Sequence, residues 1–222
     1  MSLDTGFIAG SAKVEKKWAS NHIFKRVLDI IIGTSGLILL FPLFVMLIAA
    51  VFVSQGQPII YRHQRLGLNG KRFHCLKFRS MVRDADEFLE AYLASNPDAA
   101  SEWSQRRKLS EDPRITHFGV FLRKSSLDEL PQLLNVICGD MSIVGPRPIT
   151  ADELQRYGDY ADDYLSMRPG LTGPWQISGR SDCSYSERIR LDSDYAHSWT
   201  LMSDFKIVVK TFSAVLLARG SI

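Results

Sequence analysis

The chain has 222 residues, of which 45% are hydrophobic and 23% charged; its mean hydropathy is −0.04 and its formal net charge +3. That is the composition of an ordinary globular protein with room for one domain, or one domain plus an anchor, and so modest a charge favours an anionic surface only weakly. Five histidines form no HxxxH or HExxH pattern and three cysteines form no CxxC, which argues against a zinc site and fits a reducing, cytosol-facing protein.

Residues 1–22 read as an N-terminal surface segment. From Ile30 to Val53 run about 24 residues without a charge, enough to cross a bilayer. The stretch starts too late and runs too long for a cleaved signal peptide. Basic residues lie on both sides, Lys25 and Arg26 before it and Arg62, Arg65, Lys71 and Arg72 after it. Basic flanks stay in the cytoplasm. Pro42, near the midpoint, removes a backbone donor and clashes with the preceding turn. Residues 23–56 are therefore predicted to form one Pro-kinked, re-entrant helix that enters and leaves the membrane on the same face.

Residues 57–222 form the remaining, cytoplasmic domain. Ile59 to Met81 alternates apolar and polar residues around Leu68-Asn69-Gly70, which predicts a small β-hairpin. Asp84 to Leu109 carries helical spacing, broken by Asn96-Pro97 into two helices. Asp112-Pro113 marks a turn. Ser126 reads as a helix N-cap, with Glu129 three residues on completing an S-x-x-E capping box. Leu130, Leu133, Leu134 and Ile137 supply that helix's apolar face. Pro169-Gly170 and Gly173-Pro174 mark a loop-rich region around Trp175. Phe205, Val208, Val209, Phe212, Val215 and Leu216 recur at helical spacing and read as core packing. The predicted class is α+β, mostly helical, in a monotopic membrane protein.

Chemistry concentrates near the middle. Asp128 and Glu129 are adjacent carboxylates at a predicted helix start, where the dipole favours an ionised Asp128. Gly139-Asp140 and Gly145-Pro146-Arg147-Pro148 follow, the latter holding an arginine between two prolines. A planar guanidinium in a rigid turn suits phosphate oxygens or a uracil edge. Taken alone, Asp and Glu in a first helical turn are ordinary capping residues. Together with the apolar segment, they point to phosphate chemistry at a membrane surface.

From about Lys25 to Leu217 the chain resembles the bacterial sugar transferases, the monotopic phosphoglycosyl transferases that begin exopolysaccharide and glycoconjugate assembly. The likeness rests on the joint order of several motifs. These are Lys25-Arg26-Val27-Leu28-Asp29, the central Pro42, Tyr61 to Gly67, Lys77-Phe78-Arg79-Ser80-Met81 and Asp112 to Thr116. Leu127 to Gln132, Gly145 to Pro148, and Arg168 to Gly173 with Trp175-Gln176 complete it. Ser80 stands where many relatives carry threonine. Larger members carry further helices and a domain upstream, so the resemblance implies the minimal catalytic form.

The resemblance implies that Asp128 attacks the sugar-bearing phosphate of a UDP-sugar, releasing UMP, and that undecaprenyl phosphate then takes the phosphosugar from the aspartyl intermediate. Glu129 would bind metal or handle a proton. Mg²⁺ is implied, with Asp128 and Glu129 as ligands and Asp140 as a further candidate. Lys77, Arg79, Arg123, Arg147 and Arg168 are the implied contacts to substrate phosphate. The sugar is expected to be a hexose, glucose or galactose. The expected location is the bacterial inner membrane, among its lipids, with the catalytic domain facing the cytoplasm; self-association into a homo-oligomer is left open. The alternative is a catalytically silent, membrane-anchored scaffold for polysaccharide-assembly enzymes. No nucleic acid partner is expected, because there is no recognisable reading element.

Overall fold

Pro42 divides the apolar segment into two helices. In the computed structural model, which describes residues 6–106, 109–178 and 184–216, helix α1 spans Gly6–Leu39 and helix α2 spans Phe41–Gln55. Cys183 lies outside the described residues. The portions Ile23–Leu39 and Phe41–Gln55 are bent by 64°. Pro42 sits in the first turn of α2, where a missing N–H costs nothing, so the break falls at Leu40, ahead of the proline. Among the described residues no single helix is long and apolar enough to cross a membrane, whereas the bent pair meets that test together. Residues 6–22, read from sequence as a segment apart, run unbroken into α1.

One flank of the pair is packed. Leu47 and Val51 of α2 join Phe78 and Leu122 in a buried cluster. The other flank is bare: Ile38, Leu39, Phe41, Met46 and Val53 are 59–85% exposed. The motif ahead of the apolar stretch fastens α1 to the rest of the chain. Lys25 donates to the Val144 carbonyl and pairs with Asp204. Arg26 donates to the carbonyls of Val136 and Ile137, and Asp29 accepts from the Ser142 hydroxyl and the Ile143 N–H.

Strands β1 (Ile60–Leu66) and β2 (Arg72–Phe78) form the expected antiparallel hairpin, in register from Ile60↔Phe78 to Leu66↔Arg72. Its turn places Asn69 and Gly70 at positive φ, which those residue types tolerate best. Helices α3 (Ala85–Ser95) and α4 (Pro97–Arg106) follow, divided at Asn96 as the Asn-Pro pair predicts. Helix α5 (His117–Lys124) is N-capped by Thr116, whose hydroxyl accepts from the Gly119 N–H at 2.9 Å. Helix α6 (Gln132–Cys138) carries the predicted face only in part: Leu133 is buried and Leu130 and Ile137 are half-buried, but Leu134 is exposed, and Val136, outside the predicted set, is buried.

A second sheet pairs β3 (Ser142–Val144) in parallel with β4 (Gly170–Thr172), the latter in the stretch read from sequence as loop-rich. Strands of three residues are too short to display an alternation. Between them lie α7 (Ala151–Leu154), a 3-10 turn at Gln155–Tyr160 and α8 (Ala161–Leu165); after them come α9 (Pro174–Ile177), α10 (Tyr185–Ser198) and α11 (Leu201–Leu216). One core unites Phe73, Leu133, Val136, Met141, Met167, Tyr195 and Ile207; another unites Leu66, Ile149, Tyr157, Tyr164 and Ile189. The expected core face of the last helix needs correction. Ile207 is buried and Val208 packs against the core, but Phe205 and Val209 are exposed. Helix α11 packs against α9 and the β3–β4 pair; the side chains of Phe212, Val215 and Leu216 lie outside the described residues.

Candidate active site

Asp128 and Glu129 do not begin a regular helix. They lie in a 3-10 turn, Leu127–Glu129, ahead of α6. The expected capping box does not form: Ser126 has left-handed backbone geometry (φ 56°, ψ 17°) and makes no capping bond. Glu129 turns instead to Lys77 on β2, whose Nζ donates to its Oε1 at 2.6 Å. A charged hydrogen bond to an ammonium is stronger than one to a backbone N–H, which decides the orientation. The Gln132 side chain also favours the charged form of Glu129.

Asn135 sets the distance between α6 and the hairpin. It is buried, its Nδ2 donates to the His74 carbonyl at 2.8 Å, and its Oδ1 accepts from the Leu76 N–H at 3.0 Å. His74 and Leu76 belong to the edge of β2 that β1 leaves unpaired. The carboxamide therefore completes the ladder as one residue of a third strand would, and brings Lys77 up to Glu129. On the other side stands Arg123 at the end of α5, whose Nε donates to the Ser80 hydroxyl at 2.9 Å. This contact gives the hydroxyl at position 80, serine or threonine, a definite task. Helix α5 approaches Ser80 so closely that a Cβ on Gly119 would lie 1.9 Å from the Ser80 carbonyl oxygen, so only glycine fits there.

The electrostatics divide the two carboxylates. Asp128 is 7% exposed. Burial pushes its carboxyl up to about 6, against the pull of the Lys77 and Arg123 cations and with the Glu129 charge adding to the rise. Desolvation outweighs the helix-start effect expected from sequence. Glu129 is held below the usual range, because Lys77 and its hydrogen bond overcome the cost of burial. Lys77 is raised by the same two carboxylates despite its own desolvation. Among the described residues no cation lies within 4.0 Å of Asp128, whereas Glu129 is paired.

Arg147 reaches solvent, yet the protein around it and the neighbouring Arg188 and Arg65 cations hold its guanidinium below the usual arginine range. Its turn is pinned to β4: the Gly145 N–H donates to Thr172 and the Gly170 N–H to the Pro146 carbonyl. A Cβ at Gly145 would lie 2.3 Å from the Arg168 carbonyl oxygen. Arg147 acts electrostatically on Glu129 and lies over the Trp175 ring, 5.2 Å from its centroid. Trp175 is half-buried, a platform for cations rather than a core residue.

Lys77, Arg123 and Arg147 thus gather around the carboxylates. Three other sequence candidates are engaged elsewhere. Arg79 donates to the Gln55 and Gly56 carbonyls at the end of α2. Arg168 donates to the Gly139 carbonyl. Asp140 pairs with Lys71 at 3.2 Å, beyond the far end of α6. Among the described residues no group of three or more His, Cys, Asp or Glu side chains forms a metal-binding cluster. Sequence reasoning missed Asn135 and Arg188. Arg188 and Asp192 stand four apart on α10, which reads as an ordinary helix-surface ion pair, and nothing local signals that the helix face is buried.

Residues 20–218 match the profile of the family described as Bacterial sugar transferase. The chain is 53% identical over 199 residues to an exopolysaccharide production protein ExoY of Sinorhizobium fredii, covering 90% of this chain and 88% of the relative. It is 50% identical over 202 residues to an undecaprenyl-phosphate galactose phosphotransferase of Salmonella typhimurium, covering 91% of this chain but 42% of that protein. A UDP-glucose:undecaprenyl-phosphate glucose-1-phosphate transferase of Escherichia coli is 36% identical, with 86% of this chain and 40% of the relative aligned. A match over nearly the whole described length, reaching from the α1 latch through the carboxylate pair to α11, places this chain in the bacterial sugar transferase family.

Proposed function

We propose that the protein transfers a hexose 1-phosphate from a UDP-hexose to undecaprenyl phosphate through a covalent intermediate on Asp128, as the first step of exopolysaccharide assembly. The observation that carries this reading is the division of labour between the carboxylates: Glu129 is bound to Lys77, while Asp128 is buried and has no ion-pair partner among the described residues. A poorly solvated carboxylate beside cations is primed to attack phosphorus. An Asp128 oxygen forms a bond to the sugar-bearing phosphorus, the bond to the UMP oxygen breaks, and UMP leaves with the electron pair. An oxygen of undecaprenyl phosphate then displaces the carboxylate, which is regenerated. Lys77, Arg123 and Arg147 offset the charge that gathers on the phosphates. Galactose stands ahead of glucose as the sugar, since the relative named for galactose is 50% identical and the one named for glucose 36%.

Two adjacent carboxylates suit Mg²⁺, which commonly takes one or two carboxylates and completes its shell with water and substrate phosphates. Asp128 and Glu129 would hold it; Asp140 lies past the far end of α6, away from the pair, and is left out. When bound there, such an ion would help to neutralise the pyrophosphate charge.

The bare apolar flank of α1 and α2 supports insertion in a bilayer. So many exposed apolar side chains have no place in water, and the 64° bend between basic flanks fits entry and exit on the cytoplasmic face. Purified protein in detergent or nanodiscs is expected to release UMP from UDP-galactose when undecaprenyl phosphate is present. With labelled donor and no acceptor, label should remain on the protein at Asp128. If wild type turns over with no protein-bound label, or Asp128→Asn still releases UMP, the covalent route is wrong; if wild type releases no UMP from either hexose donor, the scaffold reading replaces the enzyme.

A further inference from the structure

The catalytic pair does not account for a second cationic centre built around Trp175. Arg188, on α10, is 6% exposed, and its Nε and Nη2 have no hydrogen-bond partner among the described residues. Its one ion-pair contact among the described residues, to Oδ2 of Asp192, is 3.9 Å from Nε, too far for a hydrogen bond. The guanidinium carbon lies 5.5 Å from the Trp175 ring centroid and 5.2 Å from that of Tyr185. Trp175 carries Arg147 over the same ring, and its own Nε1–H is buried without a partner among the described residues. Three buried donors therefore meet where two arginines share one aromatic platform.

Burying such donors unpaired is unfavourable, and two guanidiniums on one ring repel each other. An anion with several acceptor oxygens answers both problems. Arg147 links this centre to Glu129 electrostatically, so the anion bound there belongs to the substrate attacked at Asp128. The sugar-bearing phosphate must sit at Asp128, which leaves the nucleotide's own phosphate as the group farther along.

We propose that Arg188, with Trp175 and Arg147, binds the phosphate of the departing nucleoside monophosphate and stabilises the charge that develops there as the pyrophosphate bond breaks. This rests on the proposed function and extends it to a residue outside the quoted motifs. The competing role is structural: Arg188 would only neutralise Asp192, which also accepts from the Tyr157 hydroxyl at 2.9 Å.

The two roles separate in a double-displacement reaction, where kcat/KM for the donor reports only the first half and kcat/KM for the acceptor only the second. Arg188→Lys and Arg188→Gln are expected to lower kcat/KM for UDP-galactose by about 30-fold, the loss of one or two charged hydrogen bonds. The value for undecaprenyl phosphate should stay within about twofold, and product inhibition by UMP should weaken in step. The double variant Arg188→Gln/Asp192→Asn removes both charges of the buried pair. Donor kcat/KM that stays low in a double variant melting like wild type supports phosphate binding. Recovery of donor kcat/KM in the double variant, unchanged UMP inhibition, or equal falls in both kcat/KM values would overturn it. A wild-type protein that releases no UMP fails at the proposed function itself, a result distinct from any of these.

Discussion

Asp128 works at a site that is unfavourable to its own charge. Its folded-state value, about 6, lies above the 3.8 of an unperturbed carboxyl. The native chain therefore keeps a proton that the unfolded chain releases, and stability falls as pH rises from about 4 to about 6, the loss being complete above that window. Replacing the charge should relieve this cost. Asp128→Asn is expected to be inactive yet more stable at pH 7 by about 2 kcal/mol, read as a rise of several degrees in melting temperature. A variant that melts at or below the wild-type temperature contradicts the burial argument. The same shift governs rate: kcat/KM for the donor should climb tenfold per pH unit below about 6 and then level off, because only the ionised carboxylate attacks. A profile flat down to pH 5 would mean that the carboxyl titrates normally.

At the scale of elements, the site depends on how α6 meets the hairpin. Lys77 and Glu129 lie far apart in sequence and on different elements, joined through the Asn135 carboxamide and the free edge of β2. Asn135→Ala leaves the Leu76 N–H and the His74 carbonyl without partners and opens a gap beneath them. A loss of about 2–3 kcal/mol in unfolding free energy is expected, measurable by denaturant titration. Turnover should fall as well, since Lys77 is no longer held against Glu129. An alanine variant with wild-type stability and turnover would show that other contacts suffice to dock α6. Arg26 reinforces the same helix by donating to the carbonyls of Val136 and Ile137, so the helix that follows the carboxylate turn is gripped at its C-terminal end by the helix proposed to enter the membrane.

At the scale of the whole molecule, that grip ties the position of the site to the apolar pair. Lys25, Arg26 and Asp29 bind α6, β3 and α11 just before the apolar stretch begins. Arg79 closes the other end by binding the carbonyls where α2 stops. Entry and exit are thus fastened to one body, which is difficult to reconcile with ends on opposite faces of a bilayer. Single cysteines at Ser20 and Gln57, in a background lacking Cys75, Cys138 and Cys183, should react with an impermeant thiol reagent from the same side of sealed vesicles. Labelling from opposite sides would establish a crossing helix.

Much of this organisation was legible in local sequence. The hairpin turn follows from Asn69-Gly70, the division of α3 from α4 from Asn96-Pro97, and the break after α1 from Pro42, because each rests on the backbone preferences of one or two residues. The motif order identified the family and pointed to Asp128 and Glu129. What local sequence could not supply were outcomes decided by partners far along the chain. Glu129 abandoned its capping role for Lys77, Arg79 and Arg168 were drawn to backbone carbonyls, and Phe205 and Val209 were left exposed while Ile207 was buried. Sequence by itself determined which residue types and backbone breaks were available, since those act over a few residues; only the tertiary structure decided the carboxylates' protonation and the pairing of each arginine, since burial and charge proximity are properties of packed neighbours.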